Sequence, residues 1–296
     1  MQLLLAGASG LIGSALARSL RQDGHDVITL VRRSPSNASE LEWDPGAGRL
    51  DTAALESIDS VVCLSGAGVG DHRWTPRYKK ALLDSRIQPV SLLAESIRAA
   101  AHPPATFVVA SAVGYYGDTG DRVVDESSPS GAGFLARLCR QWEAAATPAT
   151  EAGVRVANLR TGLVLSSAGG LLARLRPLFR LGIGGRLGDG RQYLSWIALL
   201  DEIAAIRFVI GNPALSGPVN LTGPQPVTNA EFTTTLARVM HRPALLPAPA
   251  PALRLVLGEF AQDILTGQRA MPRALQAAGF EFRYPNVQAA LRDCLD

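Results

Sequence analysis

QLLLAGASGLIG, residues 2–13, decides how the rest of the chain is read. An apolar run, Gln2 to Ala6, has the character of a strand buried on both faces. It passes directly into Gly7-Ala-Ser-Gly10-Leu-Ile-Gly13 and then into a helical pattern carrying Ala15, Leu16 and Leu20. Between a strand and a helix, three glycines at this spacing have separate tasks. One makes the tight turn, one lets the backbone approach a pyrophosphate, and one lets the helix pack on the strand. The free amides of the helix's first turn face the phosphates, with the positive end of the helix dipole behind them. Gly7, Ser9, Gly10, Leu11, Ile12 and Gly13 are therefore the expected cradle of a dinucleotide.

Outward from that turn, short apolar runs alternate with amphipathic stretches, the pattern of a parallel sheet covered by helices. Strands are expected at Asp26 to Val31, Ser60 to Leu64, Thr106 to Ser111 and Val154 to Leu159, with helices near 10–22, 75–100 and 133–152. The rhythm changes after Arg160. GIGGRLGDGRQ (182–192) precedes a short strand and a helix beginning near Asp201, and Thr228 with Glu231 reads as a capping box. Proline-rich RPALLPAPAPAL (242–253) leads to a mostly helical tail, with Pro272 suited to a first helical turn and Gly279 to a stop. The fold class is α/β, a Rossmann-type doubly wound parallel sheet with a smaller, mostly helical C-terminal substrate domain. Residues 1–165 form the nucleotide domain, joined by a returning segment near 190–222, and 166–190 with 223–296 form the smaller one.

At the end of the second strand, where a carboxylate would bind the ribose hydroxyls of NAD, the chain has Arg32 and Arg33. A guanidinium there binds a 2′-phosphate bidentately and stacks on adenine, so NADP(H) is the expected cofactor. The plainer reading makes both arginines solvated residues after a strand. Leu64-Ser65-Gly66 puts small residues at the carboxyl edge of the sheet, where a ligand passes. Arg86 faces the nucleotide from below or stands on the surface.

The bulk properties narrow the class. A chain of 296 residues, 47% hydrophobic and 19% charged, is an ordinary globular protein. The net charge of +3 comes from arginines spread along the chain, with no basic run and no nucleic-acid motif, so nucleic acid is not an expected partner. Cys63, Cys139 and Cys294 are far apart and odd in number, which argues against a disulfide framework or a metal site and for a reducing, cytoplasmic compartment. No signal peptide or membrane span is read, and no membrane partner is expected.

Taken together, GxxGxxG at 7–13, Trp43-Asp44, LSGAGVGDHRWTPRYKKALLDSRI at 64–87, SAVGYYG at 111–117 and GFLARLCRQWEAAA at 133–146 resemble the atypical epimerase family of the extended short-chain dehydrogenase/reductases. The tail from about 249 is similar to the C-terminal domain of unknown function in that family. The resemblance implies NADP(H) held by the glycine loop, Arg32, the Leu64-Ser65 turn, Arg86 and the strand end near Leu163. It also implies a substrate lying between the two domains.

Typical members of the superfamily move a proton through a tyrosine with a lysine four residues on, oriented by a serine. Here Phe134 or Leu135 takes the tyrosine position, and Leu138 or Cys139 the lysine position. Counting back from Gly117, the serine position falls on Ala112, and Ser111, one residue early, should turn to the other strand face. The remaining catalytic candidates are Ser111, Tyr115 and Tyr116, with His72 in a loop over the crevice. Arg160, Gly184, Gly185, Gln192, Trp196 and Asp201 resemble pocket-shaping positions, although Asp201 reads equally as a helix N-cap and Trp196 as core. Three functions are open: an NADP(H)-dependent oxidoreductase or epimerase acting on a small carbonyl or sugar-like substrate, a non-catalytic NADP(H)-binding redox sensor, or a scaffold whose cofactor is structural. A homodimer is one assembly left open.

Overall fold

A computed structural model describes residues 1–295. In chain order the first half contains β1 (Gln2–Ala6), α1 (Leu11–Gln22), β2 (Asp26–Val31), β3 (Glu40–Asp44), β4 (Arg49–Leu50), β5 (Ser60–Cys63), α2 (Pro76–Ala99) and β6 (Thr106–Ala112). Then come β7 (Val123–Val124), α3 (Phe134–Ala144), α4 (Thr147–Glu151), β8 (Arg155–Thr161), β9 (Leu163–Ser166) and α5 (Gly170–Arg180). The rest comprises β10 (Tyr193–Leu194), β11 (Trp196–Ala198), α6 (Leu199–Gly211), β12 (Gly217–Leu221), β13 (Val227–Thr228) and α7 (Asn229–Val239). Last are α8 (Ala250–Leu257), α9 (Phe260–Leu265), β14 (Arg269–Ala270), α10 (Arg273–Ala277) and α11 (Val287–Leu295).

The main sheet has the order β12-β8-β6-β5-β1-β2-β3-β4, parallel except for the short β3–β4 pair. Alternate residues of each inner strand point to opposite faces, and both faces are covered. Leu4, Val61, Phe107 and Val109 pack against α2, α3 and α4, whereas Leu3, Leu5, Val62 and Val108 pack against α1 and α6. A third core gathers Leu172, Phe179, Trp196, Phe232 and Leu291 among α5, α7, α11 and β11. From β1 the chain winds one way to β2 and β3 and the other way to β5, β6, β8 and β12. The strand order therefore reverses between β1 and β5, which opens a crevice over their carboxyl ends.

The five strands and the capping box read from the sequence are present, each strand within a residue or two of its expected bounds. The helix expected over 133–152 is two helices: the chain turns at Ala145 and Ala146, and Pro148 stands in the first turn of the second helix, where its missing N–H costs no intrahelical bond. Pro272 caps α10 rather than standing inside its first turn, and Gly279 follows that helix with φ +83°. Asp201 is not an N-cap: Ala198 holds that place, and the Asp201 carboxylate accepts from the backbone N–H groups of Arg283 and Tyr284. No helix among the described residues is long and apolar enough to cross a membrane.

Candidate dinucleotide cleft and the polar row beside it

The reversal point of the sheet holds a cleft of about 870 Å³ lined by Gly7, Ser9, Gly10, Arg32, Arg33, Leu64, Ser65 and Gly66. Trp43, Asp44, Pro45 and the α2 residues Asp84, Ser85 and Gln88 close its other wall. The three glycines divide as their spacing predicts. Gly7 has φ +85°, and a Cβ on it would stand 2.7 Å from the Leu64 carbonyl carbon. A Cβ on Gly13 would be 2.2 Å from the Gly7 oxygen, so that position binds helix to strand. Gly10 meets only the Gly7 oxygen, at 3.4 Å, and otherwise borders open space. The backbone can be approached there.

α1 has no side-chain cap and no acidic residue in its first turn, whereas α2 and α7 are capped by Thr75 and Thr228. Its first amides have no partner within the helix, so an anion at Gly10 would meet unspent donors and the dipole's positive end. A pyrophosphate fits this cradle. Arg32 lies on the cleft wall immediately after β2.

Arg86, in contrast, is not on the cleft surface. It is buried beneath the Gly66-Ala67 turn, where it donates to the Ala67 oxygen at 2.8 Å and the Leu82 oxygen at 3.1 Å. Its guanidinium also sits 5.0 Å from the Trp142 ring centroid. Its role is to hold up the turn that forms one cleft wall. Leu163 is half-buried in β9, paired with β11, and lies outside the cleft lining.

A second set of residues, which joins the candidates Ser111, Tyr116 and Arg160 to Glu143 and Asn220, lies across the carboxyl ends of β6, β8 and β12. Strand register puts Ser111, Arg160 and Asn220 side by side. Ser111 Oγ donates to Glu143 Oε1 at 2.7 Å, and Arg160 grips both Glu143 oxygens at 2.9 Å through Nε and Nη2. Arg160 Nη1 donates to the Tyr116 hydroxyl, which donates in turn to Asn220 Oδ1 at 2.8 Å. Asn220 donates its side-chain amide to the Met271 oxygen and its backbone N–H to Glu126. Burial opposes the Arg160 charge, but Glu143 more than offsets it and holds the guanidinium above its ordinary range.

This row separates the sequence candidates. Ser111 faces α3 and its hydroxyl is taken by Glu143. Tyr116 is 1% exposed, its phenol pushed up to about 12 by burial, and so it is withdrawn from the crevice. Tyr115 is half-buried in the turn after β6, with the Arg160 guanidinium 3.4 Å from its ring centroid. His72 is exposed against Tyr78, and Trp196 is fully buried core. The absent tyrosine–lysine pair is replaced by apolar contacts. Phe134 packs edge-on to Trp74, Trp74 lies against Phe260 of α9, and Leu135 packs on Gly114. Cys139 is buried, its thiol pushed up to about 12 by burial. Gly185 is pinned against the Leu246 backbone, and Gln192 donates to the Leu187 and Ile264 oxygens.

Glu143 was the missed residue. Its signal was the WE at the end of α3, whose distance from Arg160 in sequence hides their contact in space.

Comparison with known proteins agrees with this architecture. Residues 3–221 match the model of the NAD-dependent epimerase/dehydratase family, and residues 248–294 match a domain of unknown function. The chain is 53% identical over 288 residues to the epimerase family protein Mb2239 of Mycobacterium bovis, covering 97% of this chain and 95% of that protein. It is 39% identical over 301 residues to the chloroplastic epimerase family protein SDR39U1 homolog of Arabidopsis thaliana, covering 99% and 86%. Among solved structures, human epimerase family protein SDR39U1 with NADPH superposes with a TM-score of 0.91 at 32% identity over 99% of both chains.

Proposed function

The chain belongs to the NAD-dependent epimerase/dehydratase family, and from that premise we propose that it binds NADP(H) in the Gly7–Gly13 cleft and acts on a small carbonyl or sugar-like substrate. The observation that carries the cofactor reading is the uncapped α1 N-terminus beside an unobstructed Gly10, with Arg32 on the same cleft wall. A similar chain has been solved with NADPH. When bound, NADP(H) supplies hydride exchange with a substrate carbon.

The chain's own part is binding and proton movement. Gly10 and the first-turn amides of α1 hold the pyrophosphate, Arg32 takes the 2′-phosphate, and Arg86 fixes the Gly66-Ala67 wall. Tyr115 is the one candidate phenol not taken into the buried row, and it stands after the carboxyl end of β6 with a fixed cation against its ring. Its hydroxyl is assigned the proton exchanged with the substrate oxygen. The substrate lies between the nucleotide unit (1–165 with 190–222) and the C-terminal part. The three free cysteines accord with a reducing, cytoplasmic setting.

The Trp74–Phe134–Phe260 contacts favour the second reading, a redox sensor. They fill the place of the usual tyrosine with aromatic packing that links the turn after β5 to α9.

Substitution at Tyr115 separates the two. With NADPH and a carbonyl panel, Tyr115→Phe should cut turnover by roughly 10²- to 10⁴-fold, the size of a lost general acid, while the NADPH Kd stays within about threefold. Tight NADPH binding with no turnover by the unmodified chain, or turnover unaffected by Tyr115→Phe, would remove the catalytic assignment. Failure of NADPH to bind would remove both readings.

A further inference from the structure

Two arginines follow β2, and their surroundings differ. Arg32 lines the cleft and makes no hydrogen bond or ion pair among the described residues. Arg33 is engaged: Nη2 donates to Glu40 Oε1 at 2.6 Å and Nη1 to Glu40 Oε2 at 2.8 Å, a two-point grip, while Nη1 also donates to the Ser34 oxygen. Glu40, the first residue of β3, is fixed by more than Arg33. Its Oε2 accepts from the Ser36 backbone N–H at 2.7 Å and from Ser36 Oγ at 2.8 Å. The Glu40 side chain is only 14% exposed, against 58% for Arg33.

The pair stands where it bears on the cofactor. Arg33 and Glu40 line a second cavity of about 460 Å³, which shares Ala8, Ser9, Val31 and Arg33 with the main cleft. In this fold the residues just after the second strand meet the adenosine ribose. A ribose phosphate carries a charge of about −1.5 to −2 at neutral pH. It would enter a space holding the hydroxyls of Ser9 and Ser39 and the guanidinium of Arg33, with Arg21 on the far wall donating to the Val27 oxygen, but also one fixed carboxylate already holding the Arg33 guanidinium.

We propose that Glu40 is a specificity-determining residue: by holding Arg33 it weakens recognition of a phosphate on the adenosine ribose, so Arg32 carries that recognition and the phosphate-free dinucleotide still competes for the site. The inference rests on the dinucleotide reading of the cleft. It adds that the choice between the two nicotinamide dinucleotides is set by a competition for Arg33. Without Glu40 the guanidinium is released toward the phosphate and one nearby negative charge is removed, and both changes act most strongly on the ligand that carries the extra phosphate.

The test is a double-mutant cycle read by binding. NADPH and NADH are titrated by fluorescence against the unmodified chain, Glu40→Gln, Arg33→Ala and the double variant. Glu40→Gln should tighten NADPH by about tenfold and leave NADH within about twofold. Arg33→Ala should weaken NADPH by less than about threefold in the unmodified background, yet remove most of the gain in the Glu40→Gln background, leaving only the part that comes from the lost carboxylate charge. Glu40→Met, which keeps the side-chain length without an oxygen, repeats the measurement if the amide disturbs the loop, and a thermal melt confirms that each variant is folded. A structural staple alone would make Glu40→Gln shift both ligands equally or weaken NADPH, and either result overturns the proposal while leaving the cofactor reading intact. If the unmodified chain binds neither dinucleotide, the cofactor reading falls and this inference with it.

Discussion

Glycines that look alike in a motif differ once their surroundings are known. At Gly13 an added methyl would enter the Gly7 carbonyl, whereas at Gly10 it would meet ordinary contact on one side and the cleft on the other. Gly13→Ala should therefore lower unfolding stability by about 2 kcal/mol or more through forced overpacking, while Gly10→Ala stays within about 1 kcal/mol. Binding should show the reverse contrast: Gly10→Ala, with its fold kept, loses affinity for NADPH. Urea denaturation and NADPH titration of the two variants check both halves, and equal stability losses would refute the division of labour. This loop was legible because turn, strand and helix are adjacent in sequence. The Ser111–Glu143–Arg160 row was not, since its successive members are 32 and 17 residues apart and meet only through the β6–β8 register and the placement of α3. Strand parity counted from Gly117 turned Ser111 to the face opposite Ala112, and its hydroxyl lies on the α3 side, donated to Glu143.

Among the elements, those with an explicit start signal or a continuous apolar run were legible, and those defined by their neighbours were not. β12 reads GPVNL, with no strand periodicity of its own, and β3 reads ELEWD, whose polar–apolar alternation lasts only five residues, yet each extends the main sheet on one side. β12 is stabilised instead by what surrounds it: Asn220 is fully buried and bonded to Tyr116, Met271 and Glu126. α7 is the opposite case. Thr228 Oγ1 accepts from the Glu231 N–H and the Glu231 carboxylate accepts from the Thr228 N–H, so two otherwise free donors are satisfied. Thr228→Ala should cost about 1 kcal/mol, within the range measured for such caps. Because β13 pairs with β10, the loss should appear as faster amide exchange in the first turn of α7 and in Tyr193–Leu194 before the main sheet responds. Uniform exchange across the chain would refute a local role.

At the scale of the whole molecule, one buried acid makes stability depend on pH. Glu202 lies in the first turn of α6, 1% exposed, where α6 packs over the end of β8. Its Oε1 accepts from Thr161 Oγ1 at 2.9 Å, and Oε2 has no partner among the described residues. Burial pushes its carboxyl from the ordinary 4.5 up to about 8, with the Thr161 bond opposing only part of that rise. The sign follows from proton counting. Between pH 4.5 and 8 the folded chain keeps the Glu202 proton and the unfolded chain does not, so folding is favoured at the acid end of this window and weakened as pH rises through it. Each pH unit inside the window costs up to about 1.4 kcal/mol, or roughly 3 °C in Tm for a chain of this size. Asp263 is also raised, to about 6, by its burial and the nearby Glu259 charge, so the diagnostic interval is pH 6.5 to 8, where Glu202 titrates after Asp263 has ionised. Melting curves of the unmodified chain should fall across that interval, and those of Glu202→Gln should be flatter whatever their absolute Tm. Parallel slopes for the two would show that Glu202 is ionised in the fold and that its unpartnered oxygen is satisfied by a bound water or ion.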